Sequence, residues 1–335
     1  MRIELRHMVA AGLGLGGPVA WGVASGRPTP GALAAIGALA VSGLFRNEAR
    51  PVLVHGVAAV AGTAVAGLAG VVVAGRGWLT AVAVVLIAGL LAVAGGISRP
   101  MAEHSTRFIV FMVISTGVAK GVEPVPAAVL FAAGAAWGLL VAALCLHTRK
   151  GPAEPGEPRP APSLRALLRR WWRTLGSASG WQYAIRLTAC LAAAEAVGLL
   201  WSQPTASWIA VTVVIVVRRR LDGAARRSVE RAAGTAAGVV AGSAALLWVP
   251  PSWLFVLLVA ALAAVRPALK ERNYTLYATV MTPLVLLLME GGARVPPATI
   301  GYRLADTVIG CVLALGLGYL PWVVRRERSV RAVVG

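Results

Sequence analysis

The sequence predicts an all-α polytopic membrane protein with about twelve transmembrane helices, arranged as two parallel six-helix repeats. Three observations carry this. The 335 residues are 58% apolar and 13% charged, with a mean hydropathy of +0.76, against about 45–50% apolar and about 25% charged in a soluble domain. The apolar residues fall into twelve runs of roughly helix length. The basic residues cluster between alternate runs. A chain of this composition lacks the polar surface to cover itself in water, which excludes a soluble enzyme, a disordered tail and a secreted disulfide scaffold.

The first half holds apolar runs at 8–24, 30–45, 51–74, 78–97, 106–119 and 124–147. The second half holds 181–202, 204–217, 229–249, 252–265, 274–289 and 297–322. A bilayer core of about 30 Å takes about 20 apolar residues in a helix. Several runs, 30–45, 106–119, 204–217 and 252–265 among them, hold only about 14–16 residues, too short to cross comfortably. Each is either lengthened by its flanks or is a half-helix buried among longer neighbours. The start, MRIELRH before an apolar run, loosely fits a signal peptide, but the repeat below requires it as a helix.

Between the halves, RKGPAEPGEPRPAPS at 149–163 reads as a linker. It ends in SLRALLRRWWRTLG. Leu164, Leu167, Leu168, Trp171, Trp172 and Leu175 recur at helical spacing, and Arg165, Arg169, Arg170 and Arg173 fill other positions. With Ser163 as N-cap, this is a basic amphipathic helix suited to a membrane surface. The chain thus divides into a first repeat (1–147), a linker with this helix (148–180), a second repeat (181–323) and a basic cytoplasmic tail (324–335).

Counting Lys and Arg alternately from the N-terminus places 26 of the 32 on one side and four (Arg27, Arg76, Lys120, Arg294) on the other. The remaining two, Arg186 and Arg303, lie within apolar runs. Basic loops stay in the cytoplasm, so the count predicts a multi-pass protein of the cell membrane with both termini cytoplasmic. The charge is spread over seven pieces with no aromatic stacking platform, which speaks against nucleic acid as partner and for anionic membrane lipid. Cys145, Cys190 and Cys311 lie in apolar runs, and the four histidines are scattered. No metal-ligand spacing, phosphate-binding loop or nucleophile–base pair emerges, so neither a metal, a cofactor nor enzymatic activity is expected.

A shift of 172 residues aligns the halves: Gly62-Thr63 falls on Gly234-Thr235, Arg46 on Arg218 and Gly138 on Gly310. After a small indel, Arg99-Pro100 falls on Arg266-Pro267, and Phe108, Phe111 and Thr116 fall on Tyr274, Tyr277 and Thr282. The common order points to a duplicated unit. An even number of crossings per unit makes the repeats parallel.

Three stretches of the second half carry a family resemblance: QPTASWIAVTVVIV at 203–216, RSVERAAGTAAGVVAG at 227–242 and YRLADTVIGCVLAL at 302–315. In their order they resemble the FUSC family, the fusaric-acid-resistance-like membrane proteins. That family is related to aromatic acid exporters and, more distantly, to plant aluminium-activated malate channels. The resemblance covers about 181–322, and the first half only through the repeat. Many members carry a large cytoplasmic domain where this chain has 33 residues, 148–180. The resemblance implies an inner-membrane transporter for proton-coupled efflux of small, often aromatic, organic acids. A passive organic-anion channel and a non-transporting membrane scaffold are the alternatives, and the oligomeric state is open, a homo-oligomer included.

The candidate residues follow. Gly234, Gly238 and Gly242, Gly310 with Ala314 and Gly318, and Gly138 with Gly134 and Ala142 are small residues four apart, suited to close helix packing. Asp306, Arg303 and Glu195 lie within apolar runs, where a charge is costly unless paired or wet. Arg303 and Asp306 are three apart and share a helix face. All three lie about 9–13 Å from the outer ends at ~1.5 Å per residue. Either they form a closed ion-pair network, or Arg303 is the counter-charge for an organic anion and Asp306 or Glu195 a proton-coupling group. Their first-half counterparts include Phe131 and Gly134, so the repeat does not need the charges. Trp208 and Thr212 near the start of one short run, and Thr282 beside Pro283 in another, suggest broken helices lining a cavity. Gln203 and Thr205 add further polar groups to that first start. Tyr274 and Tyr277 either stack on an aromatic acid or belong to an interfacial belt. Arg186 is expected to snorkel to headgroups, and Glu123 and Glu290 to be solvated.

Overall fold

The computed structural model describes residues 2–42, 52–118, 123–146, 162–201, 203–219, 224–248, 250–290 and 296–324. Among these residues it holds helices and no strand. The first half forms α1 (Arg2–Ala24), α2 (Pro28–Val41), α3 (Val52–Val73), α4 (Trp78–Ala94), α5 (Arg99–Val118) and α6 (Pro124–Leu146). The linker helix is α7 (Leu164–Leu175). The second half forms α8 (Ala178–Leu200), α9 (Ser207–Val216), α10 (Ala224–Trp248), α11 (Ser252–Arg272), α12 (Tyr274–Glu290) and α13 (Pro297–Gly316). Six spans are long and apolar enough to cross a membrane: Leu5–Ala24, Gly56–Val73, Pro124–Cys145, Ala178–Leu200, Ser252–Lys270 and Ala298–Val324. The protein is an all-α, multi-pass membrane protein.

The four short runs resolve in both of the expected ways. α5 begins at Arg99 and α11 continues to Arg272, reaching 20 and 21 residues. Their charged flanks are helical, so Arg107 and Arg266 sit on helices and not in loops. α2 and α9 stay short, at 14 and 10 residues. At ~1.5 Å per residue α9 is only about 15 Å long.

Helix pairs correspond between the halves. α3 packs on α5 and α6, and α10 on α12 and α13. α2 packs on α6, and α9 on α13. Between the halves α1 meets α11 while α8 meets α4, and α5 meets α9 while α12 meets α2. Glycine makes the closest of these contacts possible, since lipid tails supply no hydrophobic drive for helices to associate. Gly234 lies against Thr275 and Ala278, Gly238 against Thr279 and Thr282, and Gly242 against Pro283, which joins α10 to α12. Gly310 lies against Thr212 and Ile209 of α9, and Gly138 against Ala38 and Val41 of α2.

The two ends of the bundle differ. α7 is capped by Ser163, whose hydroxyl accepts from the Ala166 N–H at 3.3 Å. None of its residues is buried. It docks through Trp171, whose Nε1 donates to the Val93 carbonyl at the end of α4 (3.0 Å). Arg219 donates to the neighbouring Ala92 carbonyl (2.6 Å) and lies over the Tyr183 ring near the start of α8 (4.4 Å). Arg218, next to it, donates its backbone N–H to the Tyr319 hydroxyl past α13 (2.9 Å) and lies over the Tyr274 ring at the start of α12 (5.0 Å), so the ends of α4 and α13 and the starts of α8 and α12 gather at the α7 end. At the opposite end, Gly117 of α5 meets Ser207 of α9 and Met289 of α12.

Arg186 departs from expectation. It is fully buried. Its Nε donates to the Gly318 carbonyl, and its guanidinium lies 4.6 Å from the Tyr319 ring centroid. The carbonyls left open past the end of α13 attract a cation inward. Several basic positions of the charge count lie outside the described residues: Arg46, Arg50, Lys120, Arg149, Lys150, Arg159, Arg220, Arg294, Arg325, Arg326, Arg328 and Arg331. So do residues 148–161 of the linker and the tail from 325.

A Cβ at Gly310 would sit 2.7 Å from Thr212 Cβ, whereas one at Gly62 meets nothing within 4 Å. Gly310→Leu should therefore cost about 1–3 kcal/mol through overpacking, while Gly62→Ala leaves stability unchanged. Thermal unfolding midpoints in detergent test the contrast; equal midpoints would remove the close-packing role of Gly310.

Candidate functional site

The two halves part company at the start of α9. Its counterpart α2 is helical from Pro28, yet α9 begins only at Ser207. Residues 201 and 203–206 precede it as bends and turns. Pro204 disfavours a helical conformation at the residue before it. The unwound stretch frees the side chains of Gln203 and Thr205, and both turn to α13.

There they meet Asp306, which is fully buried. Its carboxylate accepts hydrogen bonds from Gln203 Nε2 and from Thr205 Oγ1, the latter at 2.7 Å. In the first half the same place on α6 is Gly134, packed directly on the backbone of Ala34. A backbone contact in one repeat is thus replaced by a caged carboxylate in the other.

One helical turn away, Arg303 is also buried. Its Nη2 donates to Glu290 Oε1, the final residue of α12. Glu290 is therefore an ion-pair partner and not a freely solvated residue. Arg303 also lies over the Trp208 ring, 5.4 Å from its centroid. Trp208 is buried, and its Nε1 donates to Thr307 Oγ1 at 3.1 Å. Thr307 in turn donates to the Arg303 carbonyl at 2.8 Å. Arg303 Nε has no hydrogen-bond partner among the described residues.

The remaining expected residues do not converge here. Glu195 of α8 is half-buried and makes no ion pair or hydrogen bond with a described residue, so the three-charge network does not form. Thr212 donates to the Trp208 carbonyl (2.8 Å) and Thr282 to the Ala278 carbonyl (2.9 Å). Both hydroxyls are thus used within their own helices, beside the glycine contacts. Tyr274 and Tyr277 stack on each other at 6.1 Å, but at the α7 end. Tyr274 accepts from Arg218 and carries its guanidinium over the ring at 5.0 Å. The length of α12, about 24 Å at ~1.5 Å per residue, separates Tyr274 from Glu290.

The node is thus Asp306 with Gln203 and Thr205, next to Arg303 with Glu290, Trp208 and Thr307. Glu290 and Thr307 were not among the candidates. A signal existed for each: Thr307 adjoins Asp306, and Glu290 closes an apolar run just before the Arg303 helix. No group of three or more potential metal ligands occurs among the described residues.

Fold and node define a class: a multi-pass helical membrane protein with buried ionic groups at an interrupted helix. Residues 189–317, from within α8 to the end of α13, match the fusaric acid resistance protein-like family, a family of membrane transporters. Over 136 residues the chain is 30% identical to the uncharacterized protein YhfK of Escherichia coli (strain K12). That similarity takes in 39% of this chain and 19% of the relative, so the chain spans only a small part of the curated protein it matches. No solved structure matches.

Glu290→Gln leaves the buried Arg303 guanidinium without its anion. Removing one partner of such a pair should cost about 2–3 kcal/mol, reduced from a fully buried pair because Glu290 is partly accessible. Adding Arg303→Met should restore most of it. Thermal unfolding of the single and double variants measures this, and a single variant as stable as the parent would discount the pair.

Proposed function

We propose that the protein is an inner-membrane transporter that exports small, often aromatic, organic acids and couples this to the proton gradient. The observation that carries the reading is Asp306, buried at the unwound start of α9 in the half that matches the family, where the other half has glycine. Interrupted helices at membrane depth are where carriers place their binding groups. In this reading Arg303 exchanges Glu290 for the carboxylate of the solute, with Trp208 as an aromatic wall. Asp306 takes up and releases the proton.

The same reading assigns twelve crossings in two parallel six-helix repeats. The matched helix pairs of the two halves support it. It places the α7 end in the cytoplasm, supported by the arginines that gather there, with α7 lying on the inner leaflet. Leu164, Leu168 and Trp172 of α7 are exposed and available to lipid.

Proteoliposomes loaded with a radiolabelled aromatic acid, with and without an imposed pH gradient, test this. The gradient should accelerate flux. Asp306→Asn should abolish the acceleration, and Arg303→Ala should lower flux at least tenfold. Flux indifferent to the gradient points to a passive pathway, and flux intact in both variants removes the node from the mechanism.

A further inference from the structure

We propose a second anion site, in the half of the chain outside the family match: a cavity between α3, α4 and α5 that takes a small carboxylate with an apolar body. The cavity measures about 220 Å³. That is room for about seven waters at ~30 Å³ each, or an organic acid of seven to nine non-hydrogen atoms. It is smaller than a drug-sized pocket of about 300–1,000 Å³.

Two polar groups of its lining, both on α5, have an atom with no hydrogen-bond partner among the described residues. Ser105 is 3% exposed and lines the cavity, and its hydroxyl has no hydrogen-bond partner. Arg107 lines it as well, and its Nη1 is buried without a partner. Buried donors are normally satisfied, so each orphan calls for an explanation. Here two orphans from one helix border the same space. Glu103, one helical turn before Arg107, acts on its charge, but its close contact is with Arg99 at 3.5 Å. Thr63, also on the wall, spends its proton on the Ala59 carbonyl at 2.8 Å. A carboxylate supplies what the orphans lack, an acceptor with negative charge. Phe108 and Phe111 complete an apolar wall for the rest of the ligand.

The second half shows that the space is particular to this place. Gly62 borders the cavity and a Cβ there meets nothing. Its counterpart Gly234 is packed hard against Thr275 and Ala278. The counterparts of Ser105 and Arg107 by the repeat alignment are Glu271 and Asn273. Helices α3 and α5 therefore stand apart where α10 and α12 close. Arg107 lies about 12 Å along α5 from Arg99 at ~1.5 Å per residue. The cavity is therefore toward the α7 end, away from the Asp306 node. The site stands on this geometry; only its use as a loading site for export rests on the transport reading.

Titration of the purified full-length protein in detergent with benzoate tests it, with benzyl alcohol as the neutral control. Benzoate should bind and benzyl alcohol should not. Gly62→Leu places a side chain in the empty space and should lower benzoate stoichiometry by one site, with an unchanged unfolding midpoint. Arg107→Gln should weaken this site at least tenfold, and Ser105→Ala severalfold. Asp306→Asn, which abolishes coupling in the flux assay, should leave this site intact, so the two proposals fail separately. Absence of benzoate binding, or binding indifferent to Gly62→Leu and Arg107→Gln, overturns the proposal. Co-purified phosphatidylglycerol, quantified by mass spectrometry, covers the remaining source of an oxyanion. Loss of that lipid in both variants without benzoate binding would make the cavity a headgroup site and also overturn it.

Discussion

Within hydrocarbon no water is at hand to satisfy a polar group, so a charge there is costly unless the protein supplies a partner or a wet path. The arginines of this chain show how strongly that constraint shapes the bundle. Arg186 reaches the Gly318 carbonyl beyond α13, Arg219 the Ala92 carbonyl near the end of α4, and Arg266 the Ser42 hydroxyl after α2. Arg186 and Arg219 thus reach carbonyls at helix ends, which have no partner within the helix, and Arg266 reaches a hydroxyl just past one. A basic residue that on a soluble surface would merely be solvated becomes a clamp between elements distant in sequence.

The same constraint explains why the two halves differ where they do. Helix packing in lipid rests on small residues, and the matched pairs use them at corresponding places. Exchanging one glycine changes the local rule. At Gly134 the backbones of α6 and α2 touch; at Asp306 a carboxylate intervenes, and the chain beside it unwinds to supply donors. At Gly234 the helices close, whereas at Gly62 they stand apart and leave a cavity. Each half therefore departs from the shared packing at a different end, the second near Glu290 and the first toward α7.

Much of the helical layout was legible because composition decides it: an apolar run in a membrane chain is a helix, and α7 announces itself by its period and its Ser163 cap. The ends were less legible. Arg99 to Arg107 and Arg266 to Arg272 look like loops to a hydropathy count, yet a helix continues through charged residues when their side chains find partners or reach an interface. Individual charges within apolar runs were visible, but their partners were not. Arg303 with Asp306 is the obvious pair on one helix face, and the structure instead joins Arg303 to Glu290 and Asp306 to Gln203. Which group faces which across a helix contact depends on rotation and tilt, and no single-sequence period encodes those. Arg186 was misjudged for the same reason: its partner lies 132 residues away.

The partition of partners bears on how the node behaves. An arginine offers only donors, so it satisfies a carboxylate but not a protonated carboxyl, and direct pairing would hold Asp306 ionised. Arg303 instead pairs directly with Glu290, and its charge reaches Asp306 only from one helical turn away. The groups that do cage Asp306 are an amide and a hydroxyl, and each carries both a donor and an acceptor. By rotation in place, Gln203 and Thr205 can donate to the carboxylate or accept from the carboxyl. The cage satisfies a fixed carboxylate as well; its capacity to accept as well as donate is what the proposed proton exchange at Asp306 draws on.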